Sequence, residues 1–247
     1  MVDYKLSTLY DDPLIKISII ENGYDKSILC FTGVGHALNG IDVQSEEFLK
    51  ATCQATTIFI IDKERSFGNN INFSLMKCII FPYIQGKVLY TLGNSMGGFL
   101  AILATKFFNI DVSISFVPQY SVSKNIFPHE NRWDAYVNNI SFFKFESLDN
   151  AFNEQTTYYI FGGIGGPDDK HLYKFPRREN VHTILIKSPA YHHQVAKKFK
   201  QDGQLYNVIN DCMHKMPPEA IIAKSLLNIK DIISLPFRKI EGASFRE

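Results

Sequence analysis

Residues 88–104, VLYTLGNSMGGFLAILA, constrain the fold of this chain more than any other stretch. Five apolar or β-favouring residues (Val88, Leu89, Tyr90, Thr91, Leu92) run into Gly93-Asn94-Ser95-Met96-Gly97-Gly98. An apolar, small-residue run of helical character follows without a proline. The pattern is strand, sharp turn, helix, with Ser95 at the apex. Gly93 and Gly97 flank the serine and remove the side chains that would collide in so tight a bend. Gly98 lets the helix start close to the strand. A serine held this way is exposed on a strained backbone, as a nucleophile requires. The Met96 N–H, at the helix start, would face an oxyanion forming beside Ser95 Oγ. An ordinary Gly/Ser-rich turn has the same composition, so the rest of the chain must decide.

That chain alternates strands with helical segments. Residues 14–21 (LIKISIIE) alternate and read as a strand entered after Asp11-Asp12-Pro13. Asn22-Gly23-Tyr24-Asp25 has hairpin-turn chemistry, and residues 27–31 (SILCF) form a fully apolar strand of the buried kind. Thr32-Gly33-Val34-Gly35-His36 then makes a glycine-rich loop, whose amides can approach a ligand closely. Residues 43–53 read as a short amphipathic helix and 57–61 (TIFII) as a buried strand. Residues 71–84 have helical spacing that Pro82 should end or kink. After the residue-88 strand, strands follow at 111–117, 157–161 and, as the last, 182–187, with a helix over 194–201. One more helix falls within 220–235, and 236–247 reads as a loose tail. Between 121 and 154 the alternation lapses and aromatics gather (Phe127, Trp133, Tyr136, Phe142, Phe143, Phe145), as in a small cap or insertion.

At 247 residues one α/β domain suffices, with a mostly parallel central sheet and helices on both faces. A net charge of +1, from 26 basic and 25 acidic residues, argues against nucleic-acid partners and polyanionic substrates. Cys30, Cys53, Cys78 and Cys212 form no CxxC pair; three stand in apolar runs, where reduced, buried thiols are expected. No signal-peptide pattern and no membrane-length apolar run is present, so the expectation is a cytoplasmic protein. The glycines after residue 161 make no dinucleotide fingerprint, because Asp168 stands where a third glycine belongs. His192 and His193, being adjacent, make a poor zinc pair. No cofactor or metal is called for.

Three strands, taken in chain order, end in loops bearing Ser95, then Asp168 and Asp169, then His192 and His193. In a parallel sheet those loops share one edge, where serine, histidine and carboxylate can meet as nucleophile, base and orienting acid. His36, Asn94, Gln119 and Trp133 are candidates for the surrounding pocket.

The elbow GNSMGG and the chain order serine, acid, histidine resemble the α/β-hydrolase fold over residues 14–210. The loop GVGH lacks the family's HGGG-type signature, and the acid loop is unusually rich in glycine. The resemblance implies Ser95 as nucleophile, with Met96 and an amide of Gly33 or Val34 forming the oxyanion hole. It implies Asp168 as the acid, with Asp169 the alternative, and His193 as the base, with His192 the alternative. The implied activity is hydrolysis of an ester or thioester through an acyl-enzyme, on a small-molecule, glycan-linked or lipid-linked acyl substrate. Acyl transfer by the same residues is one alternative. A non-catalytic binding protein that retains the fold is the other.

Overall fold

Strands that are apolar on both faces need helices above and below them, and the computed structural model meets that need. It describes residues 5–35, 43–226 and 232–235. In chain order the strands are β1 (Ser7–Asp11), β2 (Ile15–Ile20), β3 (Lys26–Phe31), β4 (Thr56–Asp62), β5 (Val88–Asn94), β6 (Val112–Phe116), β7 (Thr157–Gly163), β8 (Val181–Ile186) and β9 (Ile232–Leu235). They form one sheet in the order β1-β2-β4-β3-β5-β6-β7-β8-β9. The block from β4 through β3, β5, β6 and β7 to β8 is parallel throughout. Antiparallel β2 and β1 extend one side, and antiparallel β9 the other.

Period-two alternation splits the core. Leu29, Phe31, Ile58 and Ile60 pack with α1 (Phe73–Ile84) and α2 (Met96–Leu103). Ile28, Cys30, Phe59 and Leu92 pack on the opposite face with α5 (Val195–Gln201), α6 (Leu205–Met213) and α7 (Pro218–Ser225). Two one-turn helices, α3 (Asp134–Val137) and α4 (Asp169–Leu172), lie in loops. Among the described residues no helix is long and apolar enough to cross a membrane.

The expected hairpin at residues 22–25 does not form. β4 lies between β2 and β3, pairing with both, because a strand buried along its whole length needs a neighbour on each side. Asn22 instead donates to the carbonyl of Ala55 at 2.6 Å. The helix expected over 43–53 is reduced to a 3₁₀ turn, Leu49–Cys53, preceded by Phe48 at φ 58°. Upstream of it the side chains of Glu46 and Glu47 reach across to Lys16, Ser18 and Gly33, bonds a helix in this segment would not permit. Pro82 falls in the last turn of α1, where the helix continues to Ile84. The helix sought within 220–235 starts earlier, with Pro218 in its first turn, and ends at Ser225. Ile232–Leu235 is instead an edge strand, so β8 is not the last. β1 and α6 stand outside the elements expected above, although Leu205, Val208, Ile209 and Cys212 of α6 have the spacing of one buried helix face. Cys30 and Cys212 are buried, but Cys53 and Cys78 are exposed, and all four are free thiols. The 121–154 stretch packs Trp133, Val137, Leu148 and Phe152 onto the α1/α2 face. His36 and the tail at 236–247 lie outside the described residues.

Strand β5 passes into α2 with no clearance. A Cβ on Gly93 would stand 2.1 Å from the Gly97 carbonyl oxygen, and a Cβ on Gly97 would stand 2.1 Å from that of Phe31. Gly93→Ala is therefore expected to cost ~3 kcal/mol or more in urea unfolding; a loss within ~0.5 kcal/mol would show that the turn can relax.

Candidate active site

Ser95 has φ 55° and ψ −121°, a conformation that side-chain-bearing residues adopt only under constraint. Its N–H donates to the Phe116 carbonyl (2.8 Å) and its carbonyl accepts from the Phe99 N–H (3.0 Å), fixing the turn from both sides. The Oγ lies 2.8 Å from His193 Nε2, and Gln119 Nε2 lies 3.3 Å from the same oxygen. His193 comes from the turn after β8, and its Nδ1 is 2.8 Å from Asp168 Oδ2. Asp168, 2% exposed, stands just before α4. Burial pushes its pKa up, but hydrogen bonds and charge from His193 and Arg132 outweigh that and hold it below its ordinary value. An ionised Asp168 accepts from Nδ1–H, which leaves the Nε2 lone pair facing the serine hydroxyl.

The two alternatives sit elsewhere. Asp169 accepts from the N–H groups of Gly165 (3.0 Å) and Gly166 (3.3 Å), closing the acid loop on itself. The His192 ring lies over that loop, where a Cβ on Gly166 would come within 3.2 Å of it. A Cβ on Gly163 would strike the His192 backbone nitrogen at 2.5 Å. Gly163 and Gly166 thus make room for the histidine turn, while Gly162 makes room for Leu172.

Behind Asp168 lies a charged cluster that the sequence did not reveal. Arg132 Nη1 donates to Asp168 Oδ1 (2.7 Å), while Nε and Nη2 grip both oxygens of Glu130 (2.9 and 2.7 Å). Glu130, itself 2% exposed, is 2.9 Å from Nε2 of the fully buried His171. The Tyr120 N–H donates to His171 Nδ1 at 3.2 Å, so the proton rests on Nε2 and points at Glu130. Burial depresses the His171 pKa more than Glu130 raises it, which agrees with a neutral ring. Trp133, next to Arg132, sets its indole 5.7 Å from the His193 ring.

The loop after β3 is pinned beside the serine, since Gly97 abuts Phe31 and Thr32. Its amides are not equivalent. The Gly33 N–H already donates to Glu47 Oε1 (3.1 Å), and Gln44 holds the Gly33 carbonyl at 2.9 Å. Among the described residues, no hydrogen bond engages the N–H of Val34 or of Met96. A cleft of about 290 Å³ joins these parts; Val34, Glu47, Asn94, Ser95, Trp133 and His193 are among its lining residues.

The sheet order, the strained serine between β5 and α2, and the acid and histidine following β7 and β8 make this an α/β-hydrolase fold. No family model matches the sequence, and no curated protein does. Among solved structures, the chain is similar to the capsule O-acetyltransferase of Neisseria meningitidis serogroup A. The identity is 14%, the TM-score 0.48, and the match covers 70% of this chain and 79% of that one. It is also similar to carboxyl esterase 2 of the fungus Tuber melanosporum (9% identity, TM-score 0.44, 69% and 70% covered). A third is the fluorophosphonate-binding serine hydrolase F of Staphylococcus aureus (13%, 0.41, 65% and 79%). Likenesses of this degree leave function to be argued from the site itself.

Burial raises the Glu47 carboxyl to about 7, against the partial relief its bond from Gly33 provides. An unfolded glutamate titrates near ~4.3, so between ~4.3 and about 7 the folded chain binds the proton more tightly. Stability from this group is full at low pH and is lost as pH rises through about 7. Glu47→Gln should therefore raise Tm relative to the parent more at pH 8 than at pH 5. An equal difference at both pH values would show that Glu47 is not desolvated.

Proposed function

We propose that the protein is a serine hydrolase that cleaves an ester or thioester through an acyl-enzyme on Ser95. The observation that carries this reading is the unbroken chain from Ser95 Oγ to His193 (2.8 Å) and from His193 to Asp168 (2.8 Å). His193 Nε2 takes the hydroxyl proton as Oγ attacks the acyl carbon. Asp168 holds the ring's tautomer and stabilises the imidazolium. The oxyanion forms between the N–H groups of Met96 and Val34, which have no competing acceptor among the described residues; Gly33, whose N–H is committed to Glu47, supports that loop. His193 then gives its proton to the leaving atom, and a water activated by the same ring releases the acid. An alcohol in place of that water would make the product an ester, so acyl transfer shares every step up to the acyl-enzyme. Asp169 and His192 shape the loops and take no part in proton transfer.

Ester turnover by variants tests this assignment. His193→Ala should lower kcat by ~10²–10⁴-fold or more, and His192→Ala by far less. The reverse ranking would shift the base by one residue, and indifference to both would remove the mechanism.

Arg132 acts through Asp168 as a positioning residue. Its removal takes a cation from beside the Asp168–His193 pair, so the imidazolium becomes easier to form. Arg132→Met should move the acid limb of the kcat/KM profile to higher pH, with Arg132→Lys restoring part of the shift. It also removes one of buried Glu130's partners, leaving His171 (2.9 Å) and Lys170 (3.2 Å), so a loss of stability should accompany the shift. An unmoved profile would confine Arg132 to a structural role.

A further inference from the structure

A second concavity, about 570 Å³, opens beside the reaction cleft and shares Glu47, Asn94 and Lys197 with it. One wall is the 45–50 segment; the other is α5 and the start of α6. Phe48, Leu205 and Tyr206 give it an apolar floor, and Lys50, Lys197 and Lys200 stand around it, all exposed. Its two carboxylates are already committed. Glu46 pairs with Lys16 (2.8 Å) and accepts from Ser18 (2.8 Å), and Glu47 accepts from Gly33. None of the ion pairs among the described residues involves the three lysines. The net charge of +1 therefore conceals a local excess of positive charge at the mouth of the cleft.

One wall of the groove reaches the oxyanion loop through the Glu47–Gly33 bond, so it is the lysines of the other wall whose position says which part of a substrate they would meet. Lys197 and Lys200 lie on α5, which begins just after the His193 turn. His193 protonates the leaving atom, so the leaving group departs on the histidine side of the serine. An oxyanion lies on the other side, at Met96 and Val34. Compact ammonium groups around an apolar floor suit a phosphoryl group joined to an apolar linker.

We propose that this groove binds the leaving-group half of the substrate and that this half carries a phosphoryl group. The proposal rests on the serine-hydrolase reading for its chemistry and narrows the substrate class. In the step it serves, the Ser95 Oγ–acyl carbon bond forms and the bond from that carbon to the leaving oxygen or sulfur breaks. The Ser95 proton passes through His193 to the leaving atom, which departs as a phosphorylated alcohol or thiol.

A matched pair of esters tests it: phenyl acetate and 4-(phosphonomethyl)phenyl acetate share the acyl group and the leaving oxygen. The ratio of their kcat/KM values is the readout, because a general loss of activity cancels in it. The parent should favour the phosphonate ester by about tenfold or more at low ionic strength. That preference should shrink in ~0.5 M salt and fall to near unity in the Lys50→Ala/Lys197→Ala/Lys200→Ala variant. A ratio near unity in the parent, or one undiminished in the variant, overturns the proposal. Turnover of neither ester would count against the hydrolase reading instead. Calorimetry with 4-(phosphonomethyl)phenol then decides the groove alone. Binding by the parent that is lost in the triple variant supports it, and no binding, or binding that survives the substitutions, refutes it.

Discussion

The backbone contact between Gly93 and Gly97 is the constraint on which the site depends. It brings the end of β5 against the first turn of α2 and leaves Ser95 no relaxed conformation between them. Strain of this kind costs ~1–3 kcal/mol and persists only where the surroundings over-determine it. Here β5 lies between β3 and β6, every residue of α2 is buried, and Phe116 and Phe99 bind the serine backbone. The same closeness sets Gly97 on Phe31, so the loop after β3 arrives beside the serine as a consequence of how the elbow packs.

The opposite wall is set by charge. Asp168 must remain ionised while 2% exposed, and one hydrogen bond from His193 is little compensation for that burial. Arg132 supplies the second, and Glu130 with His171 holds Arg132 in place. The irregular, aromatic stretch at 121–154 thereby gains a physical purpose: it delivers Arg132 to the acid and Trp133 to the histidine. The glycine-rich acid loop has the complementary task of leaving space for the His192 turn.

Much of this was legible in the sequence, for reasons that are local. Strands apolar on both faces announce a parallel sheet, and an elbow needs its glycines at fixed offsets, so β3 to β8 and Ser95 could be read directly. Loop order then put Asp168 and His193 on the serine's edge. What escaped was set by distant partners. The turn chemistry of Asn22-Gly23 was overridden because β4 required two neighbours. The helical pattern of 43–53 yielded to the reach of Glu46 and Glu47 toward other elements. Arg132 and Glu130 carry no spacing signal, since their partners Asp168 and His171 lie across the fold. Edge strand β9 followed a helix closely enough in sequence to be absorbed into it.

The central claim is that Ser95 is a nucleophile activated by His193, and covalent capture tests it most directly. The protein is treated with an alkyl fluorophosphonate, and the adduct is located by tandem mass spectrometry of the digested chain. The account predicts one adduct, on Ser95, lost in a Ser95→Ala protein that melts as the parent does. An adduct on any other residue, or labelling undiminished by Ser95→Ala, would contradict it.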